Sequence, residues 1–196
     1  MNPGNATISG LLFAEPYQSL HRDPFHWPNI LPLEAEFRRR LWITLYHMDF
    51  CTNTQVRLPR IINDSQCDAQ PPANLSDDGL SFKRHEVPPE RPLTDPTPLS
   101  HLIQRQTINK VAAEMCDAAE AGPQSSATDE VLSAKVDRAI NSIPEQSKYR
   151  SLETSIADNP ATILHRIFID ILINKAVYLL HRRGFMKGSV EEETTS

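Results

Sequence analysis

The distribution of proline is the feature that most constrains what this chain can fold into. Sixteen of the 196 residues are proline, and seven of them lie between Cys51 and Thr97. Proline has no amide hydrogen and clashes with the preceding helical turn, so a segment with this spacing forms neither a long helix nor a central strand. We therefore expect residues 51–97 to form an extended, turn-rich connector, with regular structure on either side of it.

The segment before this connector is predicted to contain the first helix. Pro32 suits the first helical turn, and Glu34 and Glu36 complement the positive end of the helix dipole. Apolar residues then recur at helical spacing, and we expect this stripe to be the core face. The stripe consists of Phe37, Leu41, Leu45 and Met48.

Two further helices are predicted after the connector. One runs from Thr97-Pro98 to Gly122-Pro123, with an apolar stripe of Ile108, Val111, Ala112, Met115 and Ala119. Leu99, Leu102 and Ile103 fall out of phase with that stripe, which suggests a kink or a broad apolar surface. The other runs from Ser126 to Ile143 and ends before Pro144. Its stripe is Leu132, Val136, Ile140 and Ile143.

The last predicted helix is apolar around most of its circumference. It begins at Asn159-Pro160 and is expected to end near Arg183, with Gly184 just after the end. Only Thr162, Arg166, Asp170 and Asn174 form a polar line along it. Such a helix is normally surrounded by others. About three other helices are predicted, so either the chain self-associates or further elements are missing.

Composition and motifs exclude several classes of function. A net charge of −5 disfavours nucleic-acid binding without a concentrated basic patch. Three separated cysteines cannot build a multi-cysteine zinc module, and six scattered glycines do not form a phosphate loop. The seven histidines lack ligand or catalytic spacing. The N-terminus has no secretory signal pattern and no apolar run is long enough to cross a membrane, so we expect an intracellular chain.

Three consecutive arginines, Arg38 to Arg40, raise the question of a nucleic-acid hook. Successive helical residues are 100° apart, so these three fan around the helix and cannot form one basic face. Glu34 and Glu36 each lie four residues before an arginine, in the favourable order for ion pairs. Arg38 is also one turn from Trp42, where its guanidinium could cover the ring. The pattern therefore favours a structural role.

The same stretch resembles a signature of the fungal-specific transcription factor domain, the middle homology region of zinc-cluster regulators. "SLHRDP" followed by "LPLEAEFRRRLWITLYHMD" is similar to the family's GLHRDP, SPxExExRRRLWW and terminal LD elements. The matching residues are His21, Arg22, Asp23, Pro24, Glu34, Glu36, Arg38, Arg39, Arg40, Leu41, Trp42 and Asp49. "PPANLSDDGL" looks like the family's late element through Pro72, Asn74 and Asp77, and "LLHRRGF" is similar to its closing helix.

Some positions depart from the family pattern. Ile43 replaces a second tryptophan, Phe50 stands where arginine often follows the aspartate, and Arg57 falls near a usual glycine. The six-cysteine zinc cluster that binds DNA in this family is not in the sequence. We therefore expect no cofactor in this chain and no direct DNA binding, since zinc belongs to that cluster.

The resemblance implies an all-α regulatory domain: an irregular helical bundle with a long proline-rich connector, present in part. Its segments would be a loop-rich region 1–31, the regulatory domain 32–186 with connector 51–97, and an acidic tail 187–196. The resemblance further implies a nuclear protein that regulates transcription through protein contacts, without catalysis. Its partner would be a second copy or a full-length regulator bound through the last helix. A standalone enzyme or small-molecule-binding helical protein is the alternative, and it requires a closed polar pocket around His21, His47 or Asp49.

Overall fold

A computed structural model describes residues 19–56, 58–77, 80, 87–120 and 126–194. Within these ranges the structure contains four α-helices and no strands, which confirms the expected all-α class. We label them α1 (Pro32–Val56), α2 (Ser100–Glu120), α3 (Ser126–Ser142) and α4 (Pro160–Thr194). Short 3-10 turns lie at Pro24–His26, Asp64–Gln66, Glu145–Ser147 and Leu152–Ser155. The chain divides into two compact units, Met1–Gln106 and Thr107–Ser196.

Helix α1 is the centre of the first unit, but the predicted core face is wrong. Only Leu45 of that stripe is buried, whereas Phe37, Leu41 and Met48 are exposed. The core face is the neighbouring one, where large apolar side chains alternate with buried polar ones. Its members are Leu33, Glu36, Trp42, Ile43, Leu45, Tyr46, Asp49, Phe50 and Asn53.

Two apolar clusters hold α1 to the rest of its unit. One joins Trp42, Leu45 and Tyr46 to Leu20 and to the connector residues Ile62 and Ala69. The other joins Ile43 to Leu99 and Ile103. The second cluster explains why Leu99 and Ile103 fall out of phase with the later stripe of α2. The first turns of α2 pack in the first unit, whereas the stripe that begins at Ile108 belongs to the second.

Among its described residues the connector contains little regular structure, as predicted. α1 continues to Val56, several residues further than expected, and a 3-10 turn follows at Asp64–Gln66. Arg57 and the predicted end of α2 at Gly122-Pro123 lie outside the described residues.

In the second unit α3 packs against α4. Leu132, Val136 and Ile143 of the predicted α3 stripe are buried. The Asn159 carboxamide accepts a hydrogen bond from Ala161 N at 2.9 Å and so caps α4 where predicted. Arg166 belongs to the buried face of α4, where its Nε donates to the Gln146 carbonyl at 2.8 Å and its Nη1 pairs with Asp158.

The predicted end of α4 near Arg183 is wrong, because the helix continues through Gly184 to Thr194. A single glycine reduces helix stability by only about 1 kcal/mol, so it does not have to end a long helix. In the parts of the chain that the structure describes, none of these helices combines the length and the apolarity needed to cross a membrane.

Candidate functional site

The ion pair between Asp23 and Arg39 lies where the turn at Pro24–His26 meets α1. The buried Asp23 receives two hydrogen bonds from Arg39, from Nε to Oδ2 at 2.9 Å and from Nη2 to Oδ1 at 2.8 Å. It also accepts from Phe25 N at 2.9 Å and from Gln70 N at 2.9 Å. One carboxylate therefore joins the turn at Pro24, helix α1 and the connector.

These bonds determine the charge state of Asp23. Burial alone would raise the pKa of this carboxyl, but the bonds from Arg39, Gln70 and Phe25 outweigh burial and lower the pKa from 3.8 to about 2. Conversely, the hydrogen bond to Asp23 raises the pKa of Arg39. Both groups are therefore charged at neutral pH.

A second carboxylate, Asp68, braces the same turn from the connector side. Its Oδ1 accepts from Asp23 N at 2.8 Å, and its Oδ2 lies 2.6 Å from His26 Nε2 and 3.2 Å from Arg22 Nη2. The His21 carbonyl in turn accepts from Asp68 N and Ala69 N. The hydrogen bond with His26 lowers the pKa of Asp68. The HRDP segment is thus held to residues 68–70 by reciprocal bonds.

The Glu36–Arg40 pair binds the next part of the connector. Glu36 is buried, and its Oε1 accepts from Arg40 Nε at 3.0 Å while its Oε2 accepts from Ala73 N at 3.1 Å. Arg40 extends the chain of contacts to Asp77 at 2.6 Å. Of the two i,i+4 pairs expected from the sequence, Glu36–Arg40 therefore forms, and its acid also binds the connector backbone.

Near the end of α1, Asp49 is fully buried and holds the chain just beyond the helix. Its carboxylate accepts from Asn53 Nδ2 at 2.6 Å, from Ile61 N at 3.1 Å and from Ile62 N at 3.2 Å. Burial raises the pKa of Asp49, and the three donors oppose that rise. The terminal aspartate of the signature is therefore a cap for two peptide groups.

Asn74 binds backbone groups in the second half of the connector, as Asp49 does in the first half. Its Nδ2 lies within hydrogen-bond distance of the carbonyls of Arg91, Pro92 and Asp95, at 3.2, 2.9 and 3.1 Å. Its Oδ1 accepts from the Thr97 hydroxyl at 2.6 Å and from the Ser100 hydroxyl at 2.8 Å. The side chain is fully buried, and it joins residues 91–97 to the start of α2.

Aromatic residues fill the space between these polar contacts. The Trp42 ring is buried and lies 6.4 Å from the rings of both His21 and Tyr46. The Tyr46 hydroxyl donates to Asp64 at 3.0 Å, and burial raises the pKa of this tyrosine. The guanidinium of Arg38 lies over the ring of Trp27, 5.1 Å from its centroid, and not over Trp42 as the spacing suggested.

The signature residues are thus brought together in three places along the connector. Those around Asp23 and Arg39 contact residues 68–70, Glu36 and Arg40 contact residues 73–77, and Asp49 contacts residues 61–62. Pro24 begins the first 3-10 turn, whereas Glu34 and Leu41 are exposed. The three arginines point to three different partners, Trp27, Asp23 and Glu36.

Sequence reasoning missed the partners supplied by the connector. Asp68, Asp64 and Arg60 lie in a segment without periodicity, so nothing in their spacing indicated a contact with α1. Asn53 lies four residues after Asp49, the helical spacing for a side-chain pair, and that signal was available.

The chemistry of these contacts is that of structural bracing. The carboxylates described above accept from peptide N–H groups, imidazole, guanidinium, the Tyr46 hydroxyl and the Asn53 carboxamide. Among the residues that the structure describes, no group of three or more His, Cys, Asp or Glu side chains is placed to hold a metal ion.

Residues 18–143 match the family model described as the fungal specific transcription factor domain, which is more than half of the 196 residues. The chain belongs to this family. Helices α1, α2 and α3 lie within the matched span of the fungal transcription factor domain, and α4 follows it.

Curated relatives extend the similarity beyond the matched span. The chain is 36% identical over 164 residues to the Zn(2)-C6 fungal-type transcription factor mpsB of Macrophomina phaseolina, covering 83% of this chain. It is 32% identical over 168 residues to the equisetin cluster transcription factor eqxF of Fusarium heterosporum, covering 85% of this chain. It is 35% identical over 168 residues to the Zn(2)-C6 fungal-type transcription factor pigI of Monascus ruber, covering 83%.

These relatives are much longer than the region they share with this chain. The chain spans 22% of the length of mpsB, 24% of eqxF and 20% of pigI. No solved structure matches it.

Proposed function

We propose that this chain is the regulatory and interaction part of a fungal transcription regulator and that it acts in the nucleus through contacts with other proteins. One observation carries the proposal beyond family membership: three acidic residues of the signature bind the chain's own backbone. Asp23, Glu36 and Asp49 each accept hydrogen bonds from peptide groups of the connector. The signature therefore stabilises the fold of the connector against α1, and partner proteins would bind other surfaces of the chain.

A role without catalysis, cofactor or direct DNA contact agrees with the same geometry. Arg39 and Arg40 are committed to Asp23 and Glu36, and phosphate binding would have to break those pairs. With a net charge of −5 the chain also lacks the excess of basic residues that supports non-specific DNA affinity. We assign DNA recognition, with its zinc cluster, to another part of the regulator.

The alternative of an enzyme or small-molecule-binding protein rested on His21, His47 and Asp49. Asp49 is fully buried with its carboxylate bonded to Asn53, Ile61 and Ile62. His21 packs against Trp42, and His47 Nε2 lies 3.6 Å from Cys51 Sγ one turn along α1. These contacts give the three residues structural roles, so the regulatory proposal is the better supported.

Transcription of a reporter tests the proposal. The chain is fused to a heterologous DNA-binding domain and expressed in a filamentous fungus that carries the cognate reporter. We expect a several-fold change in reporter output relative to the DNA-binding domain alone. Trp42→Ala, which removes a buried ring, should abolish this change, whereas Asp95→Asn at an exposed ion pair should preserve it. Unchanged reporter output from a fusion of normal abundance would overturn the proposal.

Localisation is tested separately with a fluorescent fusion that carries no DNA-binding domain. We expect enrichment in the nucleus. An even distribution through the cytoplasm, with the fusion intact on a gel, would show that this chain does not direct itself there.

A further inference from the structure

Helix α4 carries a second apolar stripe on the face opposite its packing surface. Ile169, Leu172 and Ala176 are buried, whereas Leu164, Phe168, Ile171 and Tyr178 are 51%, 42%, 54% and 62% exposed. With Lys175, these residues recur at steps of 4, 3, 4 and 3. The average step of 3.5 residues is the repeat of a helix that packs lengthwise against another helix.

The composition of this stripe also favours a helical partner. Four large apolar side chains along about 21 Å of helix provide knobs for packing into the spaces of a facing helix. Lys175, the charged member of the stripe, is half-buried, and its alkyl stem can lie along an apolar neighbour.

We propose that this stripe is a self-association surface through which two copies of the chain pair their α4 helices in antiparallel orientation. The stripe is complementary to itself in one register. Taking the exposed Ala161 one step earlier as its first member, Ala161 faces the second copy's Tyr178, Leu164 faces Lys175, and Phe168 faces Ile171. Each pair occurs twice about the two-fold axis, and the smallest member lies opposite a large aromatic.

The same residues also favour one relative orientation of the two α4 helices. In a parallel pair Tyr178 would face Tyr178 and Ala161 would face Ala161, so the two helices would be held apart at one end and poorly filled at the other. In the antiparallel pair each Tyr178 faces an Ala161, and the Lys175 stem covers Leu164. An isologous contact of this kind closes after two copies and does not continue into a filament.

The exposed area is compatible with a dimer. Half-exposed side chains of this size contribute on the order of 100 Å² each. Two copies, with their flanking residues, would therefore bury close to the roughly 1,000 Å² that marks the lower limit of a specific interface. An interface of that size is expected to dissociate over a measurable concentration range.

This inference names the partner of the proposed regulatory protein, and in that respect it rests on the proposed function. Its test, however, uses the purified chain alone. A failure to pair would remove the self-association surface and leave the reporter assay unaffected, whereas a silent reporter would not alter the measured mass.

Light scattering coupled to size-exclusion chromatography gives the mass directly. Over about 1 to 200 µM, the full chain should move from 22.1 kDa to twice that mass. Ile171→Asp should remain monomeric, with a dissociation constant at least about 100-fold higher. Val131→Asp is the matched control, since Val131 is a β-branched residue of α3 with the same exposure, 54%, and its dimer should persist.

Circular dichroism of each variant shows whether it is folded, so a monomeric Ile171→Asp with native helicity supports the proposal. A full chain that stays at 22.1 kDa throughout, or a dimer that survives Ile171→Asp, overturns it.

Cysteine cross-linking tests the orientation. Ala161→Cys combined with Tyr178→Cys should form disulfide-linked dimers under mild oxidation, above the background of the unsubstituted chain, which has three free thiols. Neither single substitution should do so. Cross-linking of the single variants would show a parallel pair and overturn the proposed register.

Discussion

Replacing Asp23 with asparagine tests whether the signature is a structural brace. The substitution preserves the shape of the side chain but removes the charge that pairs with Arg39 at 2.8 Å. A pKa lowered from 3.8 to about 2 corresponds to about 2 kcal/mol of folding free energy at neutral pH. The Arg39 guanidinium also loses a charged acceptor. We therefore expect Asp23→Asn to reduce the free energy of unfolding by about 2–4 kcal/mol at pH 7.

The lowered pKa of Asp23 also predicts how the effect of Asp23→Asn on stability changes with pH. The folded-state pKa of Asp23 lies below the unfolded value, so its stabilisation is fully present above about pH 5 and is lost as the pH falls through about 4 to 2. The difference in stability between the natural chain and Asp23→Asn should therefore shrink by about 2 kcal/mol between pH 7 and pH 2.

Urea unfolding followed by circular dichroism at both pH values provides the measurement. The control is Asp95→Asn, because Asp95 pairs with Arg91 at 3.4 Å while both side chains are about half exposed. It should cost less than about 0.5 kcal/mol. If Asp23→Asn cost no more than this control, or if its effect were the same at both pH values, the argument for a buried ion-pair brace would fail.

Three further substitutions separate the contributions of packing, hydrogen bonding and backbone conformation. Trp42→Ala should reduce stability by about 3–5 kcal/mol, and Leu41→Ala, at an exposed site on the same helix, by less than about 1; equal effects in thermal unfolding would contradict the assigned core face. Asn74→Asp removes the donor group shared by three carbonyls and should cost about 2–4 kcal/mol in urea unfolding, so a neutral result would refute its role as a hub. Ser19 has φ 64° where the family pattern has glycine, so Ser19→Gly should raise stability by up to about 1 kcal/mol, and a loss of stability would show that the strain is relieved in another way.

The positions of the helices were easier to predict from the sequence than the face that each helix buries. Prolines and apolar spacing located all four helices, because both signals are local. The face of α1 was predicted incorrectly because Phe37, Leu41 and Met48 form as regular a stripe as the one that is buried. The deciding residues were polar: Glu36, Asp49 and Asn53 point inward, whereas a hydrophobicity argument places such residues in solvent.

The site was predictable in its members but not in its pairing. The spacing of Glu36 and Arg40 indicated an ion pair because both lie on one helix. Arg39 and Asp23 are 16 positions apart, and Asp68 contacts the turn from 45 positions away. Distances of this kind depend on how the connector folds back, which no periodicity records. The resemblance to the family marked Asp23 and Arg39 but not Asp68, and only the structure showed which groups these residues contact.

The connector itself explains why charged residues of the signature are buried. A segment rich in proline cannot satisfy its own peptide groups by forming helix or sheet, yet parts of it pack against α1, and buried peptide groups need partners. Asp23, Glu36, Asp49 and Asn74 provide those partners at Gln70, Ala73, Ile61 and the 91–97 segment. It follows that the cost of a substitution in the signature should depend on how many peptide groups the side chain serves. Asp49 and Asn74 should then be less tolerant of change than Arg38, whose contact is with the Trp27 ring.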